Sequence, residues 1–172
     1  PDLVQQLLEE MTLEQKVGQL FLVRPDSLDL SQTQDQINDA KADGVTELTD
    51  AMRQTLAEYP VGGVVIFGKN LESPQQITQF LDDLQQASDT PLFTAIDEEG
   101  GLVARLANNA AFDLPQYESA AAVGTSGNPE DARAMGRTIG GYLKEYGFNL
   151  DFAPVADVNT NPDNPVIGTR AF

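Results

Sequence analysis

The fold is decided by one short stretch, Val61-Gly62-Gly63-Val64-Val65-Ile66-Phe67. Its residues are apolar on both faces of an extended chain, which is typical of a buried strand in a parallel sheet. A few residues later, Ser73 and Pro74 mark the start of a helix, with serine as the N-cap and proline at the first helical position. The sequence therefore predicts a strand followed by a helix, which is the repeating unit of α/β folds.

The same unit recurs along the chain. Further strands are predicted near residues 20–23, 92–96 and 149–153. The connections between strands and helices are short, which implies parallel strands joined by right-handed crossovers. We therefore expect four parallel strands that are adjacent in sequence order.

Helices are predicted before the first strand and between the strands. They are predicted at residues 2–11, at residues 48–59, after Pro74 and at residues 129–145. One or two further helical turns are predicted after the capping box at residues 12–15. The helix after Pro74 has a buried stripe that consists of Ile77, Phe80, Leu81 and Leu84. Close packing on the sheet is expected at three glycines of the last helix, Gly136, Gly140 and Gly141.

A long excursion follows the first strand and covers residues 24–59. Its first part, residues 24–47, is polar and shows no strand alternation, so we expect it to be partly helical at best. The helix at residues 48–59 then returns the chain to the second strand.

Two architectures consist of alternating parallel strands and helices. The doubly wound sheet usually carries a glycine-rich phosphate turn after its first strand, and residues 23–26 contain no glycine. The (β/α)8 barrel places its functional residues at the C-terminal ends of several strands, and here Lys69, Asp97 and Asp157 follow strands two, three and four. Since a full barrel has about 250 residues, we predict an α/β fold in which residues 1–172 form the first half, four strands, of a TIM-type barrel.

Composition excludes several classes of function. The chain has 10 Lys+Arg against 27 Asp+Glu, a net charge of −17 that repels nucleic acid and anionic membranes. It contains no cysteine, hence no disulfide or thiolate metal site, and no histidine, hence no histidine base or ligand. Any acid or base within the chain must therefore be a carboxylate, a lysine or a tyrosine. We expect no metal and no cofactor.

The sequence also bears on membrane insertion, on residues upstream of Pro1 and on the location of the protein in the cell. No apolar run approaches the roughly 20 residues needed to cross a bilayer, and the chain begins at Pro1 without methionine, so we expect that residues upstream were removed. The absence of cysteine fits a cytoplasmic protein or an exported one, and we favour export or the cell envelope.

Two motif matches do not fit their surroundings. Residues 63–69 match the pattern G-x-x-x-x-G-K, but Asn70 stands where serine or threonine would bind magnesium. Residues 157–168 resemble an EF-hand loop, but Pro162 replaces the required glycine. We predict neither a phosphate loop nor a calcium site.

The chemistry is expected at an acidic turn, Asp97-Glu98-Glu99-Gly100-Gly101, together with Arg105, Asp157 and Arg170. Three carboxylates at a strand end, followed by two glycines, place negative charge where the backbone can approach a ligand closely. Asp97 directly follows the buried strand and is the strongest candidate.

Structural interpretations of the same residues stay open. Glu98 and Glu99 could form a solvated acidic turn in which Arg105 pairs with one of them, and we expect Glu98→Ala to have little effect on the sugar subsite. Asp157 could accept hydrogen bonds from turn amides, and Arg170 could be an ordinary salt-bridge residue.

These segments resemble the N-terminal barrel of glycoside hydrolase family 3, in its β-N-acetylhexosaminidase branch. The matching segments are residues 17–21, residues 61–67, residues 96–101 with Arg105, and residues 147–172, in the order found in the family. Residues 164–170 (Asn-Pro-Val-Ile-Gly-Thr-Arg) indicate the hexosaminidase branch. Two departures are Leu102, where the family commonly has arginine, and the long excursion at 24–59.

The resemblance implies a retaining hydrolase that removes terminal β-linked N-acetylglucosamine. It implies that Asp97, Arg105 and Arg170 line the sugar subsite, with Glu99 and Asp157 as supporting residues. The family's acid/base histidine and aspartate nucleophile are expected beyond Phe172, so this chain alone is expected to be inactive. Its outer strands are expected to drive self-association.

Two classes of function therefore remain. The first is part of a β-N-acetylhexosaminidase, which we favour because the chain ends within a loop. The second is a non-catalytic saccharide-binding or scaffold protein that retains the half-barrel. The sequence leaves the aglycone open among muropeptide, chitooligosaccharide and glycan.

Overall fold

A computed structural model describes residues 2–171. The strands are β1 (Leu22–Val23), β2 (Gly63–Ile66), β3 (Phe93–Ile96), β4 (Glu98–Gly100), β5 (Val103–Ala104) and β6 (Leu150–Asp151). Four of them form a parallel sheet in the order β1-β2-β3-β6, and β4 pairs with β5 as a separate antiparallel hairpin. The predicted α/β fold and its four adjacent parallel strands are confirmed, whereas the hairpin was not predicted.

The helices follow the predicted pattern closely. They are α1 (Leu3–Glu10), α2 (Leu13–Gly18), α3 (Gln34–Asn38), α4 (Asp50–Glu58), α5 (Pro74–Ala87), α6 (Ala120–Thr125) and α7 (Pro129–Glu145). Their starts are fixed by N-cap side chains, including the predicted capping box of Thr12 with Gln15. The excursion is partly helical, as expected, with a 3₁₀ turn at Pro25–Leu28 and the short α3. Helix α6 was not predicted.

Two glycines allow β2 to approach its neighbours closely. Gly63 pairs with Phe93 of β3, and a Cβ at Gly63 would lie 2.4 Å from the Phe93 carbonyl oxygen. A Cβ at Gly62 would lie 2.3 Å from the carbonyl oxygen of Gln19. Glycine at both positions is therefore a packing requirement of the sheet rather than part of a phosphate loop.

The core lies between the sheet and helices α4, α5 and α7. The predicted stripe of α5 is confirmed, since Ile77, Phe80, Leu81 and Leu84 are all buried. The expectation for the last helix is wrong, because a Cβ at its three glycines would meet no atom within 4 Å and all three are exposed: Gly136, Gly140 and Gly141. The face of α7 that packs inward is formed by larger side chains, Met135, Ile139, Tyr142 and Leu143.

The two outer strands have only one neighbour each among the described residues. Apolar side chains next to them are exposed, Leu20 and Phe21 before β1 and Phe152 after β6. Self-association through these edges stays a prediction. Within residues 2–171, no helix combines the length and the apolar character that a membrane span requires.

Candidate functional site

The predicted site residues lie after the carboxyl ends of the parallel strands. Lys69 belongs to a 3₁₀ turn that follows β2, Gly68–Asn70, and Asp97 directly follows β3. Asp157 and Arg170 come from the loop that follows β6. Because neighbouring strands run parallel, these segments emerge at the same edge of the sheet.

The hairpin of β4 and β5 folds Arg105 back onto the end of β3. Its turn is formed by Gly100 and Gly101, which have φ angles of 86° and 67°, a conformation that favours glycine. Nη2 of Arg105 consequently donates a hydrogen bond to Oδ2 of Asp97 at 3.0 Å. The Arg105 side chain is 33% exposed and that of Asp97 is 25% exposed, so a ligand can reach both members of this pair.

A second arginine–carboxylate pair ties the loop after β6 to the same hairpin. Arg170 binds Glu99 with both arms of its fork, Nε to Oε2 at 2.8 Å and Nη2 to Oε1 at 2.6 Å. This hydrogen-bonded partner raises the pKa of Arg170, and the charges of Asp157 and Asp97 act in the same direction. The interpretation of Arg170 as a salt-bridge residue therefore describes a real contact, and its partner is Glu99.

The interpretation of Glu98 and Glu99 as a solvated acidic turn that pairs with Arg105 is wrong, because both glutamates are buried and Arg105 pairs with Asp97. Glu98 is fully buried and accepts hydrogen bonds from the backbone amides of Leu106 and Ala107, both at 2.9 Å. Its third donor is the hydroxyl of Tyr142 on α7, at 2.8 Å. The physical reason is the alternation of side chains along an extended segment, which directs Glu98 to the face opposite Asp97 and Glu99.

Burial around Glu98 alters two further groups. The pKa of Tyr142 is raised, first by burial and then by the neighbouring charge of Glu98. Asp151, whose Oδ1 accepts a hydrogen bond from the Glu98 amide at 3.0 Å, has its pKa raised to about 6. Burial is the main cause for Asp151, and the charges of three nearby carboxylates add to it: Glu98, Asp97 and Glu99.

Asp157 and Lys69 take less direct positions at this edge. Asp157 is exposed, and its side chain accepts no hydrogen bond from residues 2–171, so the alternative in which it bonds to turn amides is not found there. Lys69 is turned away from Asp97, because its Nζ pairs with buried Asp26 at 3.1 Å. It also donates to backbone carbonyls of Gln36 and Ile37, both at 3.1 Å, and so holds the excursion against the end of β2.

Sequence reasoning missed two buried groups that build this edge. Asp26 also accepts hydrogen bonds from Asn70, at 2.9 Å, and from the Val45 amide, at 3.2 Å. No local pattern marks Asp26, since its partners lie far along the chain. The burial of Glu98 follows from period-two alternation along β4, a strand that was not predicted.

Comparisons with known proteins identify the family to which the chain belongs. The profile of the family described as "Glycosyl hydrolase family 3 N terminal domain" matches residues 12–172. Beta-hexosaminidase A of Pseudoalteromonas piscicida is 36% identical over 133 residues, which are 74% of this chain and 22% of that protein. Beta-hexosaminidase of Thiobacillus denitrificans is 34% identical over 131 residues, 74% of this chain and 36% of that protein. The chain thus spans well under half the length of these relatives.

Solved structures superpose on most of this chain. The glycoside hydrolase family 3 beta-N-acetylglucosaminidase from Paenibacillus sp. str. FPU-7 superposes with a TM-score of 0.75 at 35% identity, covering 93% of this chain and 27% of that one. LpqI of M tuberculosis superposes with a TM-score of 0.67 at 27% identity, covering 96% of this chain and 42% of that one.

Proposed function

Since the chain belongs to the glycosyl hydrolase family 3 N-terminal domain family, we propose that it forms part of a retaining β-N-acetylhexosaminidase that removes terminal β-linked N-acetylglucosamine. Its part is to bind the sugar. The observation that supports this proposal best is the pair of Arg105 and Asp97, which stays accessible at the end of β3. The names of the matched relatives support the substrate class.

The accessible pair has the chemistry that a neutral, hydroxyl-rich ligand needs. The Asp97 carboxylate accepts two or more hydrogen bonds, so it can bind two sugar hydroxyls, while the Arg105 guanidinium donates to ring or hydroxyl oxygens. Because each group is already fixed by the other, little side-chain entropy is lost when the sugar binds. Asp97 and Arg105 are therefore assigned to the sugar.

Arg170 and Glu99 are assigned a supporting part in the same subsite. Glu99 uses both carboxylate oxygens for Arg170, and its side chain is only 6% exposed. Nη1 of Arg170 contacts the Val166 carbonyl at 3.3 Å, and the Arg170 side chain is 23% exposed. Glu99 thus orients Arg170 and leaves part of its guanidinium edge for a sugar substituent.

The proposal gives this chain binding groups but no complete catalytic pair. The sequence contains no histidine that could act as the acid/base. Retaining hydrolysis by two carboxylates needs them about 5 Å apart with one as nucleophile. Here Asp97 and Glu99 are engaged by arginines, and Glu98 is inaccessible. The acid/base and the nucleophile of the enzyme are therefore assigned to residues outside this chain.

A second candidate function is saccharide binding without hydrolysis, which the absence of histidine also favours. One experiment addresses both. Two proteins are compared, the purified 172-residue protein and the longest polypeptide that carries this chain. Each is titrated with N-acetylglucosamine by calorimetry and assayed for hydrolysis of an aryl N-acetyl-β-glucosaminide. Asp97→Asn is compared with Asp43→Asn, which changes an exposed aspartate of the excursion.

The expected result is sugar binding that Asp97→Asn weakens and Asp43→Asn does not, with hydrolysis only by the longer polypeptide. Binding without hydrolysis in every form would favour the second candidate. Equal binding by wild type and Asp97→Asn would overturn the assignment of Asp97.

A further inference from the structure

A recess lies beside the proposed sugar subsite, on the side of the excursion. Its volume is about 380 Å³, and it opens between the ends of β1 and β2. Part of the wall comes from the excursion near Ile37 and Asn38, and the rest includes Arg24, Phe67, Lys69 and Arg105. Because Arg105 lines this recess and also binds Asp97, the recess adjoins the place assigned to the sugar.

The recess is positively charged. Three of its lining residues are cationic and none is acidic, in a chain where acids outnumber bases 27 to 10. Arg105 and Lys69 are compensated by Asp97 and Asp26, at 3.0 and 3.1 Å. Among residues 2–171, no carboxylate forms an ion pair with Arg24. The Arg24 charge is the one that a ligand would neutralise.

Arg24 is held in place but retains free donors. Its guanidinium carbon lies 4.4 Å from the centroid of the Phe67 ring, a cation–π contact that restrains the group. Nη1 donates to the Ile37 carbonyl at 2.7 Å and to Oδ1 of Asn38 at 3.4 Å. Within the described residues, Nε and Nη2 have no acceptor. These two donors form the edge that binds two oxygens of a carboxylate, sulfate or phosphate side by side.

A second donor in the wall is also unused. Nε of Arg105 is buried and has no hydrogen-bond partner within residues 2–171. Arg105 lies over the same aromatic ring as Arg24, with its guanidinium carbon 5.5 Å from the Phe67 centroid. A buried donor without an acceptor is costly, so Arg105 contributes uncompensated positive polarity to the wall of the recess beside Arg24.

Arg24 is not required to hold the excursion. The Ile37 carbonyl that accepts from Arg24 also accepts from Nζ of Lys69, and Asp26 fixes the same segment through Val45. A purely structural function of Arg24 therefore duplicates contacts that other residues already supply.

We propose that this recess binds the anionic substituent of an acidic saccharide, a sulfate, phosphate or carboxylate carried by the sugar that occupies the adjoining subsite. The inference rests on the proposed function, because the sugar places the anion near Arg24. It assigns Arg24 as a residue that determines substrate specificity. It also gives the long excursion a function, since that segment forms one wall of the recess.

The test is calorimetric titration of the purified protein with four probes. They are N-acetylglucosamine, its 6-sulfate, N-acetylmuramic acid, which carries a carboxylate, and inorganic sulfate. The variants are Arg24→Gln, Arg24→Lys, which keeps the charge but lacks the fork, and Arg53→Gln as control. Arg53 lies on α4, outside the recess, with its side chain 40% exposed.

The expected result is that at least one acidic sugar binds wild type about 10-fold more tightly than the neutral sugar, as two charge-assisted hydrogen bonds allow. The preference should disappear in Arg24→Gln, decrease in Arg24→Lys and persist in Arg53→Gln, while the affinity for the neutral sugar stays unchanged. Since an exposed charge contact is screened, wild type should also lose most of the preference at high salt, which tests the proposal without any variant.

Three results would overturn the proposal. Equal affinity of wild type for neutral and acidic sugars would remove the anion subsite and leave the sugar subsite standing. Inorganic sulfate that binds as tightly as the sulfated sugar would identify a free anion as the ligand. If no sugar binds at all, the proposed function fails together with this inference.

Discussion

Asp97 and Glu98 are adjacent in the chain and lie in opposite environments. Asp97 faces the rim, where its side chain is 25% exposed and pairs with one arginine. Glu98 faces the core, is fully buried and accepts three hydrogen bonds from neutral donors. The same carboxylate chemistry therefore serves ligand binding on one side of the segment and stability on the other. Substitutions on the two sides of the segment should therefore affect ligand binding and stability separately.

The largest effect is expected from Glu98→Ala. This change leaves the amides of Leu106 and Ala107 and the Tyr142 hydroxyl without their acceptor, and each buried unsatisfied group costs about 1–3 kcal/mol. The free energy of unfolding, measured by urea denaturation, should fall by at least about 3 kcal/mol. The sequence-based expectation that Glu98→Ala has little effect concerned the sugar subsite and took no account of this loss of stability.

Glu98→Gln and Glu47→Ala are the controls for that measurement. Glutamine keeps one carbonyl oxygen for the donors around Glu98 and should lose less stability than alanine. Glu47 is exposed in the excursion, so its removal should stay within about 0.5 kcal/mol of wild type. A Glu98→Ala variant as stable as Glu47→Ala would show that the core side of the segment has no structural function.

Local patterns and long-range contacts explain which parts of this arrangement the sequence could predict. The strand at residues 61–67 and the helix after Pro74 were predictable, because apolar periodicity and capping residues act over a few positions. The buried contacts of Asp26 were not, since Asn70 lies 44 positions away and Val45 lies 19 away. Strand alternation explains why the Glu98 side chain points into the core. The hairpin that places Glu98 in a strand was not predicted.

The next largest effect is expected on the rim side, from Asp97→Ala. A charged hydrogen-bonding partner is worth about 1.5–3 kcal/mol, so the affinity for N-acetylglucosamine should fall about 10- to 100-fold. Stability should change much less than in Glu98→Ala, because the pair of Asp97 and Arg105 is partly exposed. Calorimetry and urea denaturation on the same preparation give both values. The distinction between rim and core would fail if Asp97→Ala lost stability and left binding intact.

Arg170→Ala should combine the two effects. It removes a proposed sugar contact and also leaves the largely buried Glu99 without its partner. We expect weaker sugar binding in the same range as for Asp97→Ala, about 10- to 100-fold, together with a measurable loss of stability. Arg137→Ala, at an exposed position of α7, is the control. A variant with unchanged affinity would assign Arg170 to the scaffold alone.

A smaller effect is expected from the turn that connects the rim to the core. Gly101 has a φ angle of 67°, and a Cβ there would lie 2.9 Å from the Glu118 carbonyl oxygen. Gly101→Ala should therefore cost about 1–3 kcal/mol of unfolding free energy. Gly136→Ala is the matched control, since its Cβ would meet no atom within 4 Å and alanine favours the helix. If the two variants are equally stable, the turn does not constrain the position of Arg105.

The smallest effect concerns Asp151, which contacts the Glu98 amide and lies between the two environments. Burial raises its pKa from 3.8 to about 6, so the folded protein binds this proton more tightly than the unfolded chain does. The resulting stabilisation is complete below the unfolded value and is lost as the pH rises through about 6. Asp151→Asn keeps an oxygen acceptor for the Glu98 amide and cannot ionise. The melting temperature of Asp151→Asn minus that of wild type should therefore be larger well above pH 6 than well below it. For Asp43→Asn, at an exposed position, the same difference should not change with pH. A difference between Asp151→Asn and wild type that does not change with pH would mean that Asp151 stays hydrated, and that the core environment ends at Glu98.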